Sequence, residues 1–277
     1  MLTSLPTSRP GASPLALPGH APMATRLYGS KPAAGAAPLV LHLHGGAFVD
    51  GDLASGECLA QMLAGAGAVV LSLAYPLAPA HPFPQAVEAA YAAMEWLYKQ
   101  RNKLAGNGAA LYVAGDEAGG NLAAAIALMA RDRGHPPLAG QILVAPMLDP
   151  CTGTASLREA VGQDTCCKWT DGWKQYLRSP RDAEHPYAVP ARAQRLAGLA
   201  PALVLAGEDD PMRDEAMAYA QRLHNAGISV ATAMIPASGW PESLGDASQA
   251  SFCVQTVQGH LRAFLHAPTP PPAADTP

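Results

Sequence analysis

Short apolar runs alternate along this chain with longer segments whose apolar residues recur at helical spacing. Apolar runs of this kind predict strands buried on both faces of a sheet, and the helical spacing predicts amphipathic helices. Strands alternating with helices predict an α/β fold, a mostly parallel, doubly wound sheet of about seven or eight strands with helices on both faces. The predicted strands are Thr25–Tyr28, Pro38–His44, Ala68–Leu73, Leu111–Gly115, Gln141–Ala145, Ala202–Gly207 and Ser229–Ile235. The predicted helices are Gly56–Leu63, Pro84–Lys99, Asn121–Arg133, Arg213–Asn225 and Ser251–Leu265.

The pattern weakens at both ends and in one internal stretch. Residues 1–21 are rich in Pro, Ser and Gly, and residues 268–277 read PTPPPAADTP, so both are predicted to be flexible tails. The remainder is predicted to form a single domain, so that residues 1–277 hold one domain with two tails. Between residues 150 and 201 only short helices are predicted, at Gly172–Leu177 and Ala193–Leu196.

Composition narrows the function classes. The chain has 277 residues, 49% of them hydrophobic, and its net charge of −4 argues against nucleic acid as a partner. No apolar run reaches the roughly 18–20 residues of a membrane span, and the N-terminus lacks a signal-peptide pattern. The five cysteines form no C-x-x-C pair, so free thiols in a cytoplasmic protein are expected, and the role of Cys166 and Cys167 stays open. No cofactor and no metal site is predicted.

The clearest functional signal lies in Leu111–Asn121, which reads LYVAGDEAGGN. An apolar run meets small residues and then an alanine-rich segment, as in the strand, sharp turn and helix of a nucleophile elbow. That motif reads G-x-S-x-G when a serine stands at its tip. Gly115, Gly119 and Gly120 supply the small residues that a tight turn needs. The residue at the tip is Glu117.

Three further motifs accompany the elbow. HGGAF at 44–48 follows a buried strand and matches a glycine-rich oxyanion loop, whose backbone N–H groups face a developing negative charge. YPLAP at 75–79, followed by HPFP at 81–84, resembles Y-R-L-A-P-E-H-P-F-P, and GEDDPMRD at 207–214 resembles G-x-x-D-P-L-R-D. Over about residues 38–265 the chain therefore resembles the hormone-sensitive-lipase branch of the α/β-hydrolases. The resemblance implies an α/β-hydrolase fold and an esterase or lipase activity.

The resemblance also implies a catalytic triad, and two of its three residue types are changed. The family serine corresponds to Glu117, and the family histidine, in an H-G-F-type turn, corresponds to Ser238 in PASGW. The family acid is kept as Asp210. These three residues are predicted to converge at the carboxyl ends of the strands, where open α/β sheets place their ligand sites.

The resemblance further implies an oxyanion hole and a cap. The third glycine of the oxyanion loop is replaced by Ala47, which still carries a backbone N–H. The chain before His44 is short for this branch, which predicts a reduced cap and a pocket open to solvent. The implied oxyanion donors are the N–H groups of Gly45, Gly46, Ala47 and Ala118.

Two function classes remain open. A serine nucleophile needs an imidazole to take its proton, and relatives with a carboxylate nucleophile at the elbow still need a histidine to activate water. The first class is a degenerate or non-catalytic hydrolase, a pseudoenzyme that binds a small-molecule ligand or an ester. The second is an active hydrolase of small esters that uses Glu117 in a non-standard mechanism. A homo-oligomer stays open for both.

Several of these residues also have a second interpretation. Glu117 can place its carboxylate among the oxyanion donors at a helix N-terminus, or it can be a solvated glutamate at an unused turn. Asp210 can be the acid of the site or can cap the helix that follows it. His44 is expected to hold its loop, and Trp240 and Pro241 are expected to fill the position of the missing histidine.

Overall fold

The computed structural model describes residues 11–151, 153–159, 163–236 and 250–267, with the backbone alone described at 163–167 and 250–253. Its strands are β1 Ser13–Leu15, β2 Met23–Tyr28, β3 Leu39–Leu43, β4 Val69–Leu73, β5 Leu111–Asp116, β6 Gly140–Val144, β7 Ala202–Gly207 and β8 Val230–Ile235. They form one eight-stranded sheet in the order β1-β2-β4-β3-β5-β6-β7-β8. β1 and β2 are antiparallel at one edge, and the strands from β4 to β8 are parallel.

Helices cover both faces of this sheet, as the sequence predicts. They are α1 Glu57–Gly65, α2 Gln85–Leu104, α3 Glu117–Arg133, α4 Ala155–Glu159, α5 Gln163–Tyr176, α6 Arg213–Asn225 and α7 Ala250–Leu265. One apolar core lies between the sheet and α2, α3 and α6, and a second lies between the sheet and α1 and α7. No described helix is long and apolar enough to cross a membrane.

The predicted flexible arm over residues 1–21 is wrong for part of its length. Ser13–Leu15 is a strand that pairs with β2, and the Thr25 hydroxyl donates a hydrogen bond to the Ser13 carbonyl at 2.9 Å. Leu15 and Leu17 are buried. Burial of these two leucines on the core outweighs the Pro- and Ser-rich composition around them.

The short helices predicted between residues 150 and 201 are only partly confirmed. Gly172–Leu177 overlaps the end of α5, but Ala193–Leu196 is not a helix, and a 3-10 turn lies just before it at Pro190–Arg192. The physical reason is a long-range contact. The Arg222 guanidinium on α6 donates hydrogen bonds to the carbonyls of Ala191 and Ala193, so these oxygens are bonded outside any local helix.

The elbow motif folds as its glycines predict. β5 ends at Asp116, and α3 begins at the next residue, Glu117. The first turn of α3 passes so close to β3 that a Cβ on Gly119 would lie 2.1 Å from the Leu43 carbonyl oxygen. The chain therefore reverses within one residue, and Glu117 projects from the carboxyl edge of the sheet.

Candidate functional site

The carboxylate of Glu117 lies in the oxyanion loop. Glu117 has a φ of 50°, in the left-handed region that residues other than glycine rarely adopt. Its Oε2 accepts hydrogen bonds from the backbone N–H groups of Gly46 at 2.6 Å and Ala47 at 3.2 Å. The side chain is 15% exposed, which is not the environment of a solvated glutamate. The structure therefore favours the interpretation that places this carboxylate among the oxyanion donors.

Helix α5 closes over the same carboxylate. The Trp169 indole N–H donates a hydrogen bond to Glu117 Oε1, and the Lys168 Nζ lies 3.5 Å from that oxygen. On this helix the Trp169 side chain is buried, whereas the Lys168 side chain is exposed. The prediction of a pocket open to solvent is therefore wrong around Glu117, because the side chains of α5 cover it.

The other predicted oxyanion residues have different roles. The N–H of Gly45 donates to Asp116 Oδ2 at 3.2 Å instead of to Glu117. Ala118 is buried at the start of α3, and its N–H is not among the described hydrogen bonds to the carboxylate. Gly46 needs to be glycine, since its φ is 117° and a Cβ would lie 2.0 Å from the Asp50 carbonyl oxygen. Within this loop, the described donors to the Glu117 carboxylate are therefore the backbone N–H groups of Gly46 and Ala47.

His44 holds the oxyanion loop, as expected. Its ring stacks on Tyr75 with centroids 4.4 Å apart, and its Nδ1 is 2.7 Å from the Gly45 carbonyl oxygen. The Tyr75 hydroxyl donates to the His44 carbonyl at 2.8 Å. Burial lowers the pKa of His44, which favours the neutral ring. Its contacts are those of a structural residue.

A second histidine near the site is not apparent from sequence reasoning. His42 is fully buried on β3, with its Nδ1 3.0 Å from the Ser72 Oγ and its Nε2 3.6 Å from Asp116 Oδ1. Only the register of β3 against β4 brings His42 beside Ser72, so no local signal reveals this pair. None of the described hydrogen bonds and ion pairs of Glu117 involves an imidazole.

Asp210 is buried after β7 with one oxygen unpaired. Its Oδ1 accepts a hydrogen bond from the Met212 N–H at 2.7 Å, while its Oδ2 is buried without a partner among the described residues. Burial, together with the smaller effect of the negative charges of Asp209 and Glu117, raises the pKa of Asp210 to about 7. The N-cap residue of α6 is Met212, so Asp210 supports the entry to that helix without being its cap.

We expect Asp210→Asn to stabilise the protein increasingly as the pH rises from 5 to 8. Native Asp210 keeps its proton up to about pH 7, whereas the unfolded chain loses it near the ordinary value of 3.8. The contribution of Asp210 to stability therefore falls through this window. The advantage of the variant in unfolding free energy should grow by about 2 kcal/mol, measured by urea unfolding at each pH.

The control is Asp209→Asn, which removes the same charge from an exposed neighbour. Its advantage over the wild type should change much less with pH. A difference between Asp210→Asn and the wild type that stays constant from pH 5 to 8 would show that Asp210 is ionised in the folded protein throughout.

Glu215 is a further residue that sequence reasoning missed. Its Oε2 accepts hydrogen bonds from the N–H groups of Leu148 and Asp149, which follow β6. Burial raises the pKa of Glu215 to about 8, and the charges of Asp149 and Asp210 add to this effect. Glu215 therefore fixes the segment that leads from the sheet toward α4 and α5.

The remaining site predictions fall outside the described residues. Ser238, Trp240 and Pro241 lie there, as do the side chains of Cys166 and Cys167. Within the described ranges, no group of three or more His, Cys, Asp or Glu residues is arranged to hold a metal ion. Cys58 and Cys151 are free thiols.

A family model for the alpha/beta hydrolase fold matches residues 40–239, which is more than half of the chain. The chain belongs to the α/β-hydrolase fold family. The predicted resemblance to esterases and lipases of the hormone-sensitive-lipase type is thereby confirmed at the level of family and fold.

Several proteins similar to this α/β-hydrolase are esterases. Esterase LipI of Mycobacterium tuberculosis is 38% identical over 224 residues, covering 78% of this chain and 70% of LipI. Ethyl acetate hydrolase of Pseudomonas putida is 36% identical over 211 residues, covering 73% of this chain and 64% of that enzyme. This chain therefore spans less than two thirds of the second relative.

Solved structures show the same similarity. A thermostable carboxylesterase cloned from a metagenomic library matches with a TM-score of 0.81 at 30% identity. The match covers 93% of this chain and 91% of the carboxylesterase chain. A bacterial heroin esterase matches with a TM-score of 0.81 at 30% identity. That match covers 93% of this chain and 85% of the heroin esterase chain.

Proposed function

We propose that this esterase-type α/β-hydrolase is a degenerate, non-catalytic member of its family, a pseudoenzyme that does not hydrolyse esters at its former active site. One observation carries the proposal: Glu117 Oε2 accepts both loop hydrogen bonds, from Gly46 and Ala47. In an active esterase these donors stabilise the negative oxygen of the reacting ester. Here the Glu117 carboxylate uses them, so the N–H groups of Gly46 and Ala47 are not free for an ester carbonyl.

The residues around Glu117 support the same conclusion. Glu117 stands at the position of the family nucleophile, and Ser238 stands at the position of the family base. Ser238 cannot act as that base, because a hydroxyl does not titrate near neutral pH. Asp210 keeps the acid position, and its Oδ2 has no described partner. Without an imidazole, Asp210 loses the orienting role that the acid has in a triad.

The second candidate is an active hydrolase with Glu117 as a carboxylate nucleophile. It is favoured by the position of Glu117 at the elbow tip with a φ of 50°, and by the esterases among the relatives. It is disfavoured by the hydrogen bonds to both carboxylate oxygens. Such bonds lower the nucleophilicity of the carboxylate, and a water molecule would still need a base.

Hydrolysis of p-nitrophenyl acetate separates the two candidates. We expect wild type and Glu117→Ala to hydrolyse it equally slowly, at the rate of Glu184→Ala, which removes an exposed glutamate elsewhere. Initial rates at increasing protein concentration provide the measurement. Turnover by wild type and Glu184→Ala that Glu117→Ala abolishes would establish the second candidate. Equal turnover by all three proteins at a rate well above that of buffer alone would place an active site elsewhere.

A cytoplasmic location is part of the same proposal. Cys58 and Cys151, the cysteines whose side chains are described, are free thiols, in keeping with a reducing compartment. A small-molecule ligand or ester is the proposed partner of the protein, and a homo-oligomer remains compatible with this proposal.

A further inference from the structure

Among the residues that the structure describes, two separate parts of the chain face the carboxylate of Glu117. The oxyanion loop contributes the N–H groups of Gly46 and Ala47 to Oε2. Helix α5 contributes the Trp169 indole N–H and the Lys168 ammonium to Oε1. The carboxylate therefore joins the oxyanion loop to helix α5.

We propose that the space between the oxyanion loop and α5 is a carboxylate-binding site that the protein fills with its own Glu117, so that an internal ligand holds α5 against the core. This inference rests on the proposed function for the identity of the site and adds the chemical class of its ligand, a small monocarboxylate. A free carboxylate takes the site when the side chain of Glu117 is shortened.

The donors around Glu117 select a carboxylate. In the described ranges they are three N–H groups and one ammonium, and none of them can accept a hydrogen bond. Two donors face each oxygen, which matches the two oxygens of a carboxylate and adds a favourable charge from Lys168. A neutral amide of the same shape would place an NH₂ group against one pair of donors.

The backbone of α5 already lies close to the loop. A Cβ on Gly172 would lie 2.2 Å from the Ala47 carbonyl oxygen, so the helix and loop are in direct contact. Phe48 stacks on Tyr176 with centroids 4.0 Å apart. These apolar contacts keep α5 near the core when Glu117 is absent, so the site persists for a free carboxylate to enter.

Glu117→Ala tests the proposal with acetate as the probe. The substitution removes one methylene and the carboxylate, which acetate matches in size, and it keeps the β-carbon of the strained residue. We expect amides 169–176 to exchange with deuterium about tenfold faster in the full-length variant. Millimolar acetate should restore much of the protection, measured by hydrogen exchange with mass spectrometry.

Three controls make the test specific. Acetamide is the neutral isostere of acetate, and sodium chloride matches the ionic strength, so neither should restore protection. Glu184→Ala should exchange like the wild type over residues 169–176. Acetate should leave the wild type unchanged, because the tethered carboxylate has a much higher effective concentration.

Two outcomes would overturn the proposal. Unchanged exchange over residues 169–176 in Glu117→Ala would show that Glu117 does not hold α5. Faster exchange that acetate restores no better than acetamide would show that no carboxylate site exists. These readouts are independent of ester hydrolysis, so the proposed function and this inference fail separately.

If Glu117→Ala does not fold, two variants on α5 test the proposal instead. Trp169→Phe and Lys168→Met each remove one donor and leave Glu117 in place. Each should raise the exchange of amides 170–176 less than the loss of the whole carboxylate would. Exchange equal to the wild type in both variants would overturn the proposal as well.

Discussion

The double variant Glu117→Ser with Ser238→His is expected to hydrolyse p-nitrophenyl acetate about a hundredfold faster than either single variant. Glu117→Ser places a hydroxyl at the elbow tip and releases the N–H groups of Gly46 and Ala47 from the internal carboxylate. That hydroxyl has no general base until Ser238→His supplies an imidazole. Initial rates for the wild type, both single variants and the double variant measure the effect.

The gain should exceed the sum of the single effects because triad residues act as a unit. Asp210 Oδ2 is buried without a described partner, in the position of the family acid. A new imidazole with its N–H near this oxygen would be oriented by it and would help to ionise it. Adding Asp210→Asn to the double variant should therefore remove most of the gain.

A Glu117→Ser single variant as fast as the double variant would contradict this prediction, because another group would then be acting as the base. A wild type that turns over robustly and is indifferent to all of these changes would place the active site elsewhere. The two results therefore distinguish a site that lacks only its general base from an active site that lies elsewhere in the protein.

The sheet was predictable from the sequence because its central strands are buried on both faces. Leu39–Leu43, Val69–Leu73 and Ala202–Gly207 have no exposed residue, so each reads as a nearly continuous apolar run. The edge strand Ser13–Leu15 buries one of its three residues. Its formation depends on pairing with β2, which its own composition does not indicate.

Half of the candidate site was predictable for a similar reason. The elbow and oxyanion loop are local motifs, and the length of the Glu117 side chain places its carboxylate near the loop. The contribution of α5 was not predictable. Trp169 lies 52 residues along the chain from Glu117, in a stretch without clear helical spacing, and its hydrogen bond depends on how the cap folds over the sheet.

Gly119→Ala is expected to destabilise the protein by about 3 kcal/mol. The new Cβ would lie 2.1 Å from the Leu43 carbonyl oxygen and 2.5 Å from the His44 carbonyl oxygen. Both atoms belong to backbone that continues into the oxyanion loop, so neither can move away cheaply. Relief requires α3 to shift from β3, which disturbs the elbow and the buried core together. Urea unfolding at neutral pH measures the loss.

Gly259→Ala is the matched control for this steric argument. Gly259 lies within α7, and a Cβ there meets nothing within 4 Å. The same added methyl group should stabilise the protein by about 0.5–1 kcal/mol, because alanine favours a helix interior more than glycine does. The two substitutions should therefore have opposite signs. An unfolding midpoint for Gly119→Ala equal to or above that of the wild type would mean that α3 does not approach β3 this closely, and the sharp turn that presents Glu117 to the oxyanion loop would be lost with that contact.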